Sequence, residues 1–216
     1  PTMQTALPGC ARGGFVRVSK LLLYTAFHGN LNFSYIPEDL FPQILRRCYW
    51  PLLRIIEDKR LPLGLEFSAY TLEVLNRLDP AFVARLRELW HAGLCEVIGS
   101  GYVQSIMPLI PSEVNRWNLH WGNVVYQELL GRRPTVAYVN EQVYSAGLPC
   151  LYHEAGYEAM LVNWDSALPA HADHELRYRP CGVTIGQGRD AAGRLPVIWH
   201  SLEAYRDFQQ YAEKEI

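Results

Sequence analysis

Residues 79–102 read DPAFVARLRELWHAGLCEVIGSGY, and this stretch decides the fold. Asp79 is a natural N-cap, and Pro80 suits the first helical position. Phe82, Val83, Leu86, Leu89 and Trp90 form an apolar stripe at helical spacing, and Gly93 is placed to end it. Residues 95–98 follow at once as a short apolar run of strand character, opening into Gly99-Ser100-Gly101-Tyr102. A capped helix feeding a buried strand that ends in a Gly-rich loop is one unit of an alternating α/β chain.

The same rhythm extends both ways. Strands are expected at 21–27, 63–67, 135–139, 159–162 and 195–199, and helices at 43–58, 112–130 and 149–155. Pro51 should kink or restart the first of these helices. Gly131 and Gly156 stand where the other two should end. Trp90, Trp117 and Trp121 fall at helical spacing and read as core. Right-handed crossovers between such strands give a parallel sheet, open or closed into a barrel. His28-Gly29-Asn30 after the first strand is not a phosphate-binding glycine fingerprint, which disfavours a nucleotide-binding sheet. Residues 1–19 read as an irregular tail and 20–216 as one barrel domain.

Composition narrows the function. The chain has 216 residues and a net charge of -2, without the basic surplus that a nucleic-acid binder needs. With 6 Trp, 13 Tyr and 7 Phe it is too aromatic for a solvated, disordered chain. No apolar run approaches the roughly 18 to 20 residues that span a bilayer, so no membrane partner is expected. Five scattered cysteines (Cys10, Cys48, Cys95, Cys150, Cys181) form no C-x-x-C pair. They read as free, mostly buried thiols of a reducing, cytoplasmic protein. Oligomeric state leaves no mark.

In parallel α/β folds, ligands collect at the carboxyl ends of the strands. There this chain delivers His28 and Asn30, then Glu66 and Ser68, then Ser100 and Tyr102. Asn140 and Glu141, Trp164 and Asp165, and His200 follow, with Glu96 opening the third strand. Several carboxylates, two histidines and aromatic rings at one mouth suit sugar chemistry. One carboxylate attacks the anomeric carbon, another protonates the departing oxygen, and ring faces stack on the sugar.

Four segments carry a resemblance to a known family: Phe27-His28-Gly29-Asn30, residues 93–102, residues 137–148 (AYVNEQVYSAGL) and Asn163-Trp164-Asp165. The chain resembles glycoside hydrolase family 57 from about Lys20 onward. The resemblance implies an incomplete parallel (β/α)7-type barrel of the glycoside hydrolase/deacetylase kind. It implies a retaining enzyme of amylase or 4-α-glucanotransferase type, acting on an α-glucan or oligosaccharide without cofactor or metal. It makes Glu141 the nucleophile and Asp165 the general acid/base, with Asp173 or Glu154 as the nearest substitutes for the latter. It makes His28 and Glu96 substrate-binding residues and Trp164 a stacking neighbour. Asn30, Ser100, Tyr102, Asn140 and His200 join them at the strand ends as candidate substrate contacts.

The family's usual His-Gln-Pro triplet is here His28-Gly29-Asn30, and the chain stops at Ile216, before the family's last strand and helical segment. Two alternatives remain. One is a non-catalytic glycan-binding relative. The other is a metal-dependent polysaccharide deacetylase, for which His171 and His174 would be the ligands, although no Asp-Asp pair ends the first strand.

Overall fold

The computed structural model describes residues 25–163 and the backbone of residues 184–188 and 195–200. Strands β1 (Ala26–Gly29), β2 (Leu63–Phe67) and β3 (Cys95–Ile98) pair in parallel in that order. A second set runs β4 (Val136–Tyr138), β5 (Ala159–Asn163), β7 (Leu195–His200) and β6 (Thr184–Gly188). Bonds through Gly99 join the two sets: its N–H donates to the Val136 carbonyl at 2.9 Å, and its carbonyl accepts from Tyr138 N–H at 2.7 Å. A Cβ at Gly99 would lie 2.6 Å from the Tyr157 hydroxyl oxygen, so a larger residue would push the strands apart there. The result is an incomplete α/β barrel. Strand β6 departs from the expected all-parallel pattern, because it runs antiparallel to β7, which is itself parallel to β5.

Alternation along the strands divides the sheet into two faces. Leu63, Leu65, Phe67, Cys95 and Val97 join one cluster with Leu53, Leu72, Leu75, Phe82, Leu86 and Tyr126 from the covering helices. A second cluster gathers Ala137, Val139, Met160 and Val162 with Leu119, Tyr152 and Tyr157. The helices are α1 (Phe41–Ile44), α2 (Trp50–Lys59), α3 (Ala69–Leu78), α4 (Pro80–His91), α5 (Ser112–Leu130) and α6 (Leu148–Glu154).

Asp79 caps α4 as expected, accepting from Ala81 N–H at 3.1 Å, and its other oxygen accepts from the Trp50 indole at 2.9 Å. Pro51 does restart its helix. A π-helical turn, Leu45–Tyr49, separates α1 from α2, and the Trp50 N–H reaches back to the Leu45 carbonyl. Pro51 has no N–H to continue the regular ladder, and the wider turn absorbs that loss.

Several expectations need correction. Strand β1 carries His28 and Gly29 inside it rather than after it, because pairing continues to Gly29 opposite Phe67. Helix α3 was not expected at all, although Ser68 caps it by accepting from Thr71 N–H at 3.2 Å. Trp90 is core at 2% exposure, but Trp117 and Trp121 are 55% and 52% exposed. Helix α5 turns Asn115, Asn118, Leu119, Gly122, Val125 and Tyr126 inward, which leaves 117 and 121 on the other side. Of the described cysteines only Cys95 is buried; Cys48 is exposed, and Cys150 is half-buried with its thiol donating to Glu154 at 3.4 Å. Among the described residues no helix is long and apolar enough to cross a membrane. The tail at 1–19, Cys10 and Cys181 lie outside the described residues.

Candidate active site

Within β2 the sequence Leu63-Gly64-Leu65-Glu66-Phe67 sends Leu65 and Phe67 to the helices and Glu66 to the opposite face. Glu66 is completely buried. A buried carboxylate is tolerated only when its oxygens are bonded, and both are. His28, its register partner on β1, donates from Nδ1 to one oxygen, and the buried Ser100 hydroxyl donates to the other. Three strand ends therefore meet on one acid.

Helix α5 holds the loop beyond β3 against this acid. The Tyr126 hydroxyl donates to the Phe67 carbonyl at 2.7 Å and accepts from the Ser100 N–H at 3.1 Å. Asn118 clasps Val103, accepting from its N–H at 2.8 Å and donating to its carbonyl at 3.1 Å. A Cβ at Gly122 would come within 2.6 Å of the Gly101 backbone, so the helix can lie this close only as glycine. Gln104 is thereby brought over β1, where its Nε2 lies 2.9 Å from His28 Nε2 and its Oε1 accepts from Asn30 Nδ2 at 2.9 Å.

The His28 ring also stacks on Tyr138 from β4, with centroids 5.4 Å apart and planes at 21°. Burial alone would lower the His28 pKa. The hydrogen bond and charge of Glu66, with the charge of Glu141, outweigh it and hold the imidazole above its ordinary 6.5. Burial pushes the Tyr138 hydroxyl upward, a Gln142 hydrogen bond opposes this, and the charges of Glu66 and Glu141 add to the rise. Glu141 thus lies within electrostatic reach of both rings.

Glu141 itself occupies a turn, Asn140–Gln142, directly after β4. Its backbone is left-handed, with φ 54° and ψ 10°, and Gln142 follows with φ 56°. For residues other than glycine each such conformation costs on the order of 1–3 kcal/mol and concentrates at functional positions. Glu141 is exposed, whereas Asn140 is buried and donates to the Ser100 carbonyl at 3.0 Å, tying β4 to β3 beneath it.

The structure thus brings His28, Asn30, Ser100, Asn140 and Glu141 together. It does not bring Glu96 or Tyr102 to the same cluster. Glu96 lies opposite Gly64, one inward-facing position earlier than Glu66, and its nearest influences are Arg132 and the Trp90 side chain. Burial raises the Glu96 pKa against both. Tyr102 turns to helix α3, donating to Glu73 at 3.0 Å beside the Tyr70 ring. Glu154 is held by Arg116 at 2.9 Å, which lowers its pKa and occupies it on the helical layer. Trp164, Asp165, His171, Asp173 and His174 lie outside the described residues, as does the His200 side chain. The His200 backbone pairs with Asn163, so β5 and β7 end side by side.

Two residues of the cluster carried no assigned role in the sequence, and Glu66 was read only as a strand-end acid. A single carboxylate inside an apolar strand was the signal for Glu66, since such a residue needs partners. Tyr138 lay within a family segment without a distinguishing mark, and Gln104 sits in a loop whose path only α5 determines.

A family model described as Glycosyl hydrolase family 57 matches residues 25–184. The chain is 23% identical over 133 residues to alpha-amylase 1 of Dictyoglomus thermophilum, covering 61% of this chain and 19% of the relative. It is 25% identical over 133 residues to the 4-alpha-glucanotransferase of Thermococcus litoralis, again covering 61% and 19%. The crystal structure of the 4-alpha-glucanotransferase from Thermococcus litoralis superposes with a TM-score of 0.67 at 20% identity, covering 88% of this chain and 30% of that one. The chain spans about a fifth of the length of the curated relatives it matches.

Proposed function

The chain belongs to glycosyl hydrolase family 57, and from that membership we propose that it carries catalytic machinery for a retaining reaction on α-glucans, of amylase or 4-α-glucanotransferase type. The observation that carries this reading is Glu141. It follows β4 on a left-handed, exposed backbone, within electrostatic reach of His28 and Tyr138 and inside the family-matched span.

In this reading the Glu141 carboxylate attacks the anomeric carbon. The bond to the leaving oxygen breaks as Asp165 gives that oxygen its proton, leaving a glycosyl ester on Glu141. Asp165 then takes a proton from water, or from a hydroxyl of a second sugar, whose oxygen attacks the same carbon and releases Glu141. Water gives hydrolysis and sugar gives transfer. Double displacement of this kind requires the two carboxyl groups to lie about 5 to 5.5 Å apart. Before the first step Asp165 must be protonated while Glu141 is ionised. His28, with Asn30 beside it, contacts the sugar near the broken bond, and Trp164 and His200 are further candidate contacts.

Product analysis of the full chain with defined maltooligosaccharides tests this. Glu141→Gln and Asp165→Asn should each lower kcat by more than about a hundredfold with circular dichroism unchanged. Longer products would assign transfer, and shorter ones hydrolysis. A folded Glu141→Gln protein that keeps most of its rate would overturn the assignment, as would a parent chain that binds the sugars and never cuts or transfers them.

A further inference from the structure

Resting on that reading of His28 as a sugar contact, we infer that Asn30 and Gln104 are positioning residues that fix His28 as the neutral Nδ1–H tautomer, with its Nε2 lone pair offered to a sugar hydroxyl. The polarity begins at a group that has no choice. The Phe33 N–H can only donate, and it donates to Asn30 Oδ1 at 2.9 Å. Asn30 Nδ2 must then face Gln104, where it donates to Oε1 at 2.9 Å. That orientation turns the Gln104 N–H toward His28 Nε2, also at 2.9 Å. An N–H pointing at a ring nitrogen needs a lone pair there, so the ring proton resides on Nδ1 and goes to Glu66. Ser100 closes the far end by donating to the second Glu66 oxygen.

Amide orientation normally has to be assigned from such networks, and here the backbone supplies the anchor. Protonating Nε2 would set an N–H against the Gln104 N–H. Rotating Gln104 would then oppose Asn30 Nδ2, and rotating Asn30 would oppose the Phe33 N–H. Among the described residues, the titratable groups facing His28 are Glu66 from β2, Tyr138 from β4 and Glu141 from the turn after it. The two carboxylates favour the imidazolium and the amide relay opposes it. A sugar hydroxyl that displaces the Gln104 amide meets the same lone pair and donates its proton into that hydrogen bond.

Imidazole nitrogen and carbon NMR of the full chain tests the relay, with the His28 signals identified by their loss in His28→Asn. Above the ring's pKa the parent should show the Nδ1–H tautomer in excess. Gln104→Leu should shift it toward a mixture of tautomers. Gln104→Glu can accept from Nε2–H, and should raise the His28 titration by about one pH unit or more, a tenfold change in proton affinity. An Nε2–H tautomer in the parent overturns the inference. So does a Gln104→Glu protein with a native amide spectrum and an unmoved His28 titration. These spectra need no turnover, so they stand apart from the glycosidase test. Cleavage of maltooligosaccharides beside an Nε2–H parent removes the relay alone, whereas the Nδ1–H tautomer in an inert protein supports the relay and removes only the enzymatic reading.

Discussion

The Tyr126 hydroxyl donates to the Phe67 carbonyl at 2.7 Å across the interface between α5 and the end of β2. The same oxygen accepts the Ser100 N–H, so one fully buried phenol aligns two of the strand ends that converge on Glu66. Burial and nearby acidic groups hold its pKa well above the ordinary tyrosine value, which keeps the donor proton in place.

Tyr126→Phe should therefore destabilise the chain rather than simply trim a contact. It leaves a buried carbonyl and a buried N–H without this partner, at a cost of about 1–3 kcal/mol. Urea unfolding of parent and variant measures it. An unchanged midpoint would mean that another group takes over both bonds.

Tyr138 stacks on the face of the His28 ring, whose Nδ1 edge bonds Glu66. Removing the ring in Tyr138→Ala should cost roughly 0.5–1.5 kcal/mol of positioning, or about 2- to 10-fold in kcat/KM on maltooligosaccharides. Tyr138→Phe keeps the stack and should stay near the parent. Equal losses in both variants would place the effect in the hydroxyl instead.

His28 ties stability to pH with a definite sign. Its folded pKa lies above 6.5, so protons bind more tightly to the folded state. The stabilisation is fully present below 6.5 and disappears as pH rises through the folded value. The urea midpoint should fall over that window in the parent, and the corresponding part of the slope should vanish in His28→Asn. Glu66→Gln, which removes the main opposing charge, should shift the window downward. A parent midpoint that rises through this window, with the rise lost in His28→Asn, would reverse the assignment.

Much of the frame was legible because local patterns and tertiary packing asked for the same thing. Ser112–Leu130 and Cys95–Ile98 form where the periodicity places them, and Asp79 with Pro80 starts α4 where a cap and a fixed φ must. Helix α3 is legible in principle from the Ser68 cap and the spacing of Leu72, Leu75 and Leu78. Trp117 and Trp121 were misread because helical spacing reveals that residues share a face and not which face meets the core.

The sequence alone determined the alternation of helix and strand, the acidic and aromatic strand ends and the family, because caps, periods and motifs act within a few residues along the chain. Tertiary structure decided which of those side chains meet. Glu66 became the hub since three strands end around it, Gln104 reached His28 since Asn118 and Gly122 let α5 draw its loop inward, and Glu96 and Tyr102 turned to other partners. Such meetings depend on strand register and on how closely a helix can approach a loop, which are properties of the packed chain and not of any local segment.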